Sequence, residues 1–208
     1  MNNPIFIKKL EERYAQGLPG RTHQLKMGIP HRYATMTPPD HARKACVLAL
    51  LFEKNDAWHI LLTERASNDN DRHKGQISFP GGQLEPTDES LEACALREAH
   101  EEVGVLPHQV QVIGKMTDLY IPVSNFHVFP FLAWTDTPPQ YQRQISEVKQ
   151  IIETPLSILQ DLSNRKLTDM SVYGGTMVMK DVPYFDVFGK IVWGATAMML
   201  SELLELLD

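Results

Sequence analysis

Residues Gly82–Val105 read GQLEPTDESLEACALREAHEEVGV, and this stretch decides how the rest of the chain is to be understood. Near its end stand Arg97-Glu98-Ala99-His100-Glu101-Glu102-Val103-Gly104-Val105. On a helix, Glu98, Glu101 and Glu102 occupy positions i, i+3 and i+4, which puts three carboxylates on one face. Two of them fall in the last turn before Gly104, a residue suited to the left-handed position that ends helices. The helix dipole disfavours negative charge at that pole. Mutually repelling carboxylates at the wrong end make poor sense as a solvated face, and good sense against divalent cations. Hard oxygen ligands of this kind suit Mg²⁺ or Mn²⁺.

The flanking residues support that reading. Pro80-Gly81-Gly82 is a loop that permits close backbone approach to a ligand. Thr87 or Asp88 is the expected N-cap of a helix running to about Val103. Ala95, Leu96, Ala99 and Val103 form a separate apolar face for packing inward. The segment therefore reads as strand, glycine loop and helix, with the carboxylates held rigidly.

These residues resemble the Nudix box, G-x5-E-x7-R-E-U-x-E-E-x-G-U with U aliphatic. Arg97, Glu98, Glu101, Glu102, Gly104 and Val105 fall on it, with Ala99 at the first U. Glu89 has the right spacing from Arg97, but Gly82 then stands one residue early. Either Glu89 or Asp88 can hold the forward acidic position, and Asp88 can equally serve only as the helix cap. A second resemblance lies upstream. Leu61-Leu62-Thr63-Glu64-Arg65-Ala66, followed by Gly75-Gln76-Ile77-Ser78-Phe79-Pro80-Gly81-Gly82, is similar to the L-L-T-x-R-[SA]-x3-R-x3-G-x3-F-P-G-G signature of coenzyme A diphosphatases. The segment between Arg65 and Gly75 is one residue longer here, so the inner arginine slot holds Asp71, with Arg72 beside it.

The resemblance implies an α/β fold, a Nudix-type α/β/α sandwich around a mixed β-sheet. It implies metal-dependent hydrolysis of the diphosphate of coenzyme A or its thioesters, giving 3′,5′-ADP and (acyl-)4′-phosphopantetheine. The displaced arginine keeps open another nucleoside diphosphate derivative such as NADH or ADP-ribose. Glu101 and Glu102 are the expected metal ligands, and Glu98 is a ligand or the general base. Arg97 is expected to orient a glutamate by a bidentate hydrogen bond. The Gly82 carbonyl is available to complete the metal shell. Glu147, ahead of a strand over Val148 to Glu153, is the candidate for a further ligand or base. Arg65, Arg72 and Lys74 are the expected phosphate contacts. Tyr120, Phe126 and Phe129 offer rings to a substrate, with core burial the expected fate of the two phenylalanines.

The whole chain sets the bounds. At 208 residues, one domain spanning about 41–208 with an N-terminal extension over 1–40 is the natural expectation. A formal net charge of −6 implies no broad basic surface for nucleic acid. Cys46 and Cys94 read as small buried thiols rather than a disulfide framework. The longest apolar run, Ala45 to Phe52, is far short of the ~18 residues a membrane span needs, and the N-terminus lacks the order of a signal peptide. A cytoplasmic protein with a small-molecule substrate and no membrane partner is expected.

Coarse patterning gives an amphipathic helix at the N-terminus, then a Pro/Gly-rich approach segment over Tyr14 to Asp40. Strands are expected over Lys44 to Glu53 and Trp58 to Arg65 around the turn Lys54-Asn55-Asp56. Further strands are expected at Gln76 to Phe79, Val110 to Leu119, His127 to Trp134 and Val148 to Glu153. Pro155-Leu156-Ser157 opens a short helix, Gly174-Gly175 marks a hairpin, and Ile191 to Leu207 reads as a C-terminal helix. Its apolar stripe leaves room for a homodimer. Met177, Met179, Met198 and Met199 are expected to fill core space, and His100 to face solvent.

Overall fold

A computed structural model of the chain describes residues 3–29, 37–66, 75–172 and 177–208. Two long strands organise it. β1 (Arg43–Lys54) and β2 (Ala57–Arg65) form a hairpin whose two-residue turn, Asn55-Asp56, has both φ angles positive, at 52° and 59°. Asn and Asp tolerate that left-handed conformation better than other side chains, which is why the turn was legible. β1 also lies parallel to β7 (Phe126–Thr135), in register from Arg43↔Phe126 to Phe52↔Thr135. A strand paired on both edges and covered on both faces reads as an unbroken apolar run, and Cys46 and Leu48–Phe52 are all fully buried.

The main sheet runs β3-β2-β1-β7-β5, with β3 at Ile77–Ser78 and β5 at Val110–Lys115. β4 (Gly81–Gln83) pairs with β1, β6 (Leu119–Ile121) with β7, and β8 (Val148–Pro155) with β2. Alternate residues of β1 serve opposite layers. Cys46, Leu48, Leu50 and Phe52 pack with Cys94, Ala95, Ala99 and Val103 of helix α3 (Leu91–Val103). Ala45, Ala49 and Leu51 join Ala197, Met199, Leu200 and Leu203 of helix α5 (Gly194–Leu207) on the other side. The result is the expected α/β/α sandwich around a mixed sheet. Ile7 and Leu10 of α1 (Asn3–Gln16) belong to the second of these cores.

Several sequence expectations are corrected by the structure. The strand expected over Val110 to Leu119 is bulged against β7 between Val112 and Gly114 and is interrupted between β5 and β6, where Met116 is fully buried. The C-terminal helix begins at Gly194, not Ile191. Lys190–Trp193 is instead strand β11 of a small antiparallel sheet with β10 (Met177–Val187) and β9 (Arg165–Val172). Gly194, at φ 62°, is the break between strand and helix. The hairpin expected at Gly174-Gly175 lies outside the described residues. α4 (Leu156–Gln160) follows β8 as expected. The apolar stripe of α5 is consumed within the chain, where Met198, Met199, Leu200, Leu203, Leu204 and Leu206 are buried. Cys46 and Cys94 are buried free thiols.

The approach segment, without periodicity in sequence, contains a helical turn, α2 (Arg21–Gln24). It is held from outside itself. Glu202 of α5 is fully buried and accepts from the Gly20 amide at 3.2 Å, Gln24 Nε2 at 2.9 Å and Thr117 Oγ1 at 2.5 Å. Glu202→Ala leaves three donors without their acceptor, at about 1–3 kcal/mol for each that stays buried. A fall in Tm of roughly 10 °C is expected for a domain of this size. A scan by differential calorimetry checks it, and a change under about 2 °C would show that water replaces the carboxylate.

Candidate active site

The loop from β3 into β4 is forced against its surroundings. Gly81 has φ 157°, and a Cβ there would stand 2.3 Å from the Cys46 carbonyl oxygen. A Cβ on Gly82 would stand 2.5 Å from the Glu98 carboxylate. Gly81 is therefore required by the backbone of the neighbouring strand, whereas a side chain at position 82 would push the Glu98 carboxylate aside. Gly82 pairs with Cys46 of β1, and its carbonyl faces the Cys94 thiol at 4.0 Å.

Helix α3 begins two or three residues later than Asp88 or Thr87 would have it. Ser90 is the cap, and its hydroxyl accepts from the Ala93 amide at 3.0 Å. Asp88 is used elsewhere. Arg97 Nε and Nη2 donate to its two oxygens at 2.8 and 2.9 Å, the bidentate geometry that favours arginine over lysine. The guanidinium holds the Asp88 carboxyl down at about 2. Arg97 also donates through Nη1 to Glu98 at 2.9 Å and Glu101 at 3.0 Å, and through Nη2 to the Gln83 carbonyl at 3.2 Å. The bidentate partner of Arg97 is thus an aspartate rather than a glutamate, and the two glutamates receive single bonds. Glu89 is exposed, so Asp88 takes the forward acidic position of the motif.

Glu102 lies on the inner side of the same helix and is 3% exposed. It accepts from the Gly81 amide at 3.1 Å, and Arg65 Nη1 stands 3.8 Å away. Burial still dominates and pushes its carboxyl up to about 7, helped by the charges of Glu98 and Glu147. Burial likewise raises Glu98, opposed by Arg97 and reinforced by Glu101 and Glu147.

Glu147 arrives from a loop that caps α3. The Glu102 and Val103 carbonyls, left open at the helix end, accept from the Gln144 and Gln142 amides at 2.9 Å each. Gly104, left-handed at φ 79°, ends the helix where a Cβ would meet the Gln142 amide at 2.6 Å. The Glu147 carbonyl then accepts from the Ala66 amide at 2.7 Å, fixing the loop against the end of β2.

Arg65, Gly82, Glu98, Glu102 and Glu147 line one cleft of about 1380 Å³. Of the expected site residues, Arg97 and Glu101 stay outside its lining, the latter with a side chain 56% exposed. Arg72 and Lys74 lie outside the described residues. Phe129 is buried, whereas Phe126 lines the cleft beneath the Arg43 guanidinium, 4.1 Å from its centroid. The Tyr120 hydroxyl donates to Asn125, His100 is exposed, and Met198 and Met199 are buried. The opposite wall is formed by Met170, Met179, Lys190, Ile191, Trp193 and Met199, of which Met179 and Met199 are expected from sequence only to fill the core. These residues come from the small sheet and α5, and only the fold brings them to the site.

The donor set fits a hard divalent cation. It consists of oxygen alone, and Glu102 is buried beside two like charges with a single arginine near it. Among the described residues no three carboxylates already converge as a cage. Glu98 is turned to Arg97, and Glu102 to the Gly81 amide.

A family description, NUDIX domain, matches residues 42–166. A protein of Enterobacter sp. (strain 638), described as an uncharacterized Nudix hydrolase NudL, is 37% identical over 161 residues, covering 77% of this chain and 81% of its own. A NudL of Photorhabdus laumondii is 33% identical over 183 residues, 84% of this chain and 94% of its own. The crystal structure of RenU, a Nudix hydrolase from M. smegmatis, superposes with a TM-score of 0.54 at 16% identity, over 79% of this chain and 84% of that one. No helix among the described residues is long and apolar enough to cross a membrane. With the glycine loop, the arginine hub and the carboxylate helix in place, and with matches of this extent, the chain belongs to the Nudix hydrolases, enzymes that act on phosphoric anhydride bonds and generally need divalent metal ions.

Proposed function

We propose that this enzyme cleaves the diphosphate of coenzyme A or its thioesters, releasing 3′,5′-ADP and (acyl-)4′-phosphopantetheine. One observation carries the reading. The two halves of the upstream motif, residues 61–66 and 75–82, are neighbours in space, through the pairs Thr63↔Ser78 and Glu64↔Ile77. Both open onto the cleft that holds Glu98 and Glu102. The motif and the carboxylate helix thus form one site. The cleft also exceeds the roughly 300–1,000 Å³ of ordinary ligand pockets, and its far wall of Met179, Ile191, Trp193 and Met199 is apolar. That is room for a long substrate with a polar and an apolar end.

In this mechanism Glu102 and Glu98, both in the cleft lining, would hold the metal together with Glu101. When bound, Mg²⁺ or Mn²⁺ supplies neutralisation of the diphosphate charge and a water of lowered pKa. Arg97 fixes the rotamers of Glu98 and Glu101, and Asp88 fixes Arg97. Arg65 faces the phosphates from the end of β2. Glu98 or Glu147 accepts the proton of the attacking water, since each presents a carboxylate to the cleft.

The test is hydrolysis of free coenzyme A with Mg²⁺ or Mn²⁺, with products identified by mass spectrometry alongside NADH and ADP-ribose. 3′,5′-ADP is the expected dominant product, and a chelator abolishes its release. Preference for NADH or ADP-ribose would keep the metal chemistry and overturn the substrate.

A further inference from the structure

We propose that the β10–β11 hairpin carries a subsite for a purine nucleotide bearing a phosphate monoester, with Lys190 on the phosphate and Phe188 under the base. The hairpin lies beyond residues 42–166 that match the family. The proposal rests on the coenzyme A reading only for which nucleotide it takes, here the adenosine 3′-phosphate end.

The first observation is a surplus of positive charge. Glu64, next to last in β2, lines the cleft with a side chain only 8% exposed. Each of its oxygens accepts from a separate ammonium: Oε1 from Lys149 Nζ at 2.5 Å, Oε2 from Lys190 Nζ at 2.6 Å. These two bonds hold the carboxyl below its ordinary range. One ammonium neutralises one carboxylate, so the pair of lysines leaves a net positive charge beside the cleft. Lys190 lines the cleft itself and uses one of its three N–H donors on Glu64. Arg65 stands next in sequence and lines the same cleft. The cleft is therefore bipolar, with carboxylates at Glu98, Glu102 and Glu147 and cations at Lys190 and Arg65.

The second observation is a residue out of place. Val187 pairs with Lys190, so Phe188-Gly189 is a two-residue turn, with φ 55° and 79°. The β1–β2 hairpin makes the same kind of turn with Asn55-Asp56, side chains suited to positive φ. A phenylalanine is disfavoured in that conformation. Phe188 is 62% exposed, so burial does not compensate. Local strain that packing does not repay points to a function. An exposed ring two residues from a cleft ammonium suits a nucleotide, since bases stack on aromatic faces and ammonium groups bind phosphate.

Calorimetric titration of the full chain in Mg²⁺ buffer, with adenosine 3′,5′-bisphosphate and with AMP, tests this. The bisphosphate is expected to bind the wild type roughly tenfold tighter than AMP, the scale of one added charge-assisted contact. Lys190→Gln removes that advantage and Lys190→Arg keeps it. Lys149 still pairs Glu64 in both variants, so neither leaves the buried carboxylate alone. Phe188→Asn weakens both nucleotides several-fold while raising Tm, because the turn is relieved. Equal affinities in the wild type, an undiminished advantage in Lys190→Gln, or wild-type binding by Phe188→Asn would each overturn the subsite. A retained and Lys190-dependent advantage in an enzyme that fails to hydrolyse coenzyme A would uphold the subsite and remove the substrate reading.

Discussion

Glu102→Gln is expected to lower kcat by about a thousandfold or more, on the scale of losing an electrostatic group that acts at the transition state. The fold should survive, because glutamine is nearly isosteric and its amide oxygen still accepts from the Gly81 amide. The substitution removes a carboxylate that the protein keeps 3% exposed at the expense of its own stability. Burial raises Glu102 to about 7 from an ordinary value of 4.5. A raised carboxyl contributes stability below the unfolded value, and that contribution is lost as pH rises through the folded one. In metal-free buffer the wild type should therefore lose stability between about pH 4.5 and 7, by on the order of 3 kcal/mol. Glu102→Gln should be free of that loss and be the more stable protein at pH 8 in chelator. Added Mn²⁺ should stabilise the wild type, increasingly as pH rises because the ligand must be deprotonated, and should do little for the variant. Rates with coenzyme A and thermal scans at pH 5 and pH 8 provide the check. A fully active variant, or one that Mn²⁺ stabilises as it does the wild type, would remove Glu102 from the metal site.

The active helix was legible because its signals are local. Glu98, Glu102 and Gly104 declare themselves by spacing, and the buried face of Ala95, Ala99 and Val103 by period. The N-cap is not fixed by sequence, because Thr87, Asp88 and Ser90 all suit a cap by composition. Asp88 is withheld from that role by Arg97, nine residues on, a demand visible only once the helix is folded. The start of α5 is hidden for a different reason. Ile191-Val192-Trp193 continues an apolar run into the helix, and a short run cannot be assigned by period. Pairing with β10 makes it a strand. α2 had no sequence signal at all, since its order comes from Glu202, nearly 180 residues away. Lys190 and Lys149 look like ordinary surface charges until β11 of the small sheet and β8 of the main sheet bring them to Glu64.

Arg97 and Asp88 act as one unit, and a double-mutant cycle should show it. Arg97→Ala frees Glu98 and Glu101 from a common donor and is expected to lower kcat/KM with coenzyme A by roughly a hundredfold, the scale of loss seen when a partner that orients metal ligands is removed. It also leaves Asp88, whose side chain is 3% exposed, without its cation, so a loss of stability accompanies the loss of rate. Asp88→Ala removes the bidentate anchor but leaves the guanidinium bonded to both glutamates and the Gln83 carbonyl. Its effect on rate should be smaller, about tenfold, with the Mn²⁺ affinity weakened in proportion. The double variant should be no slower than Arg97→Ala, because Asp88 reaches the chemistry only through Arg97. Rates that multiply instead would give Asp88 a separate role, such as holding the loop through the Glu85 amide, which donates to it at 2.8 Å. Arg97→Lys distinguishes geometry from charge. An ammonium keeps the charge but cannot span both Asp88 oxygens and the two glutamates together, so most of the loss should remain.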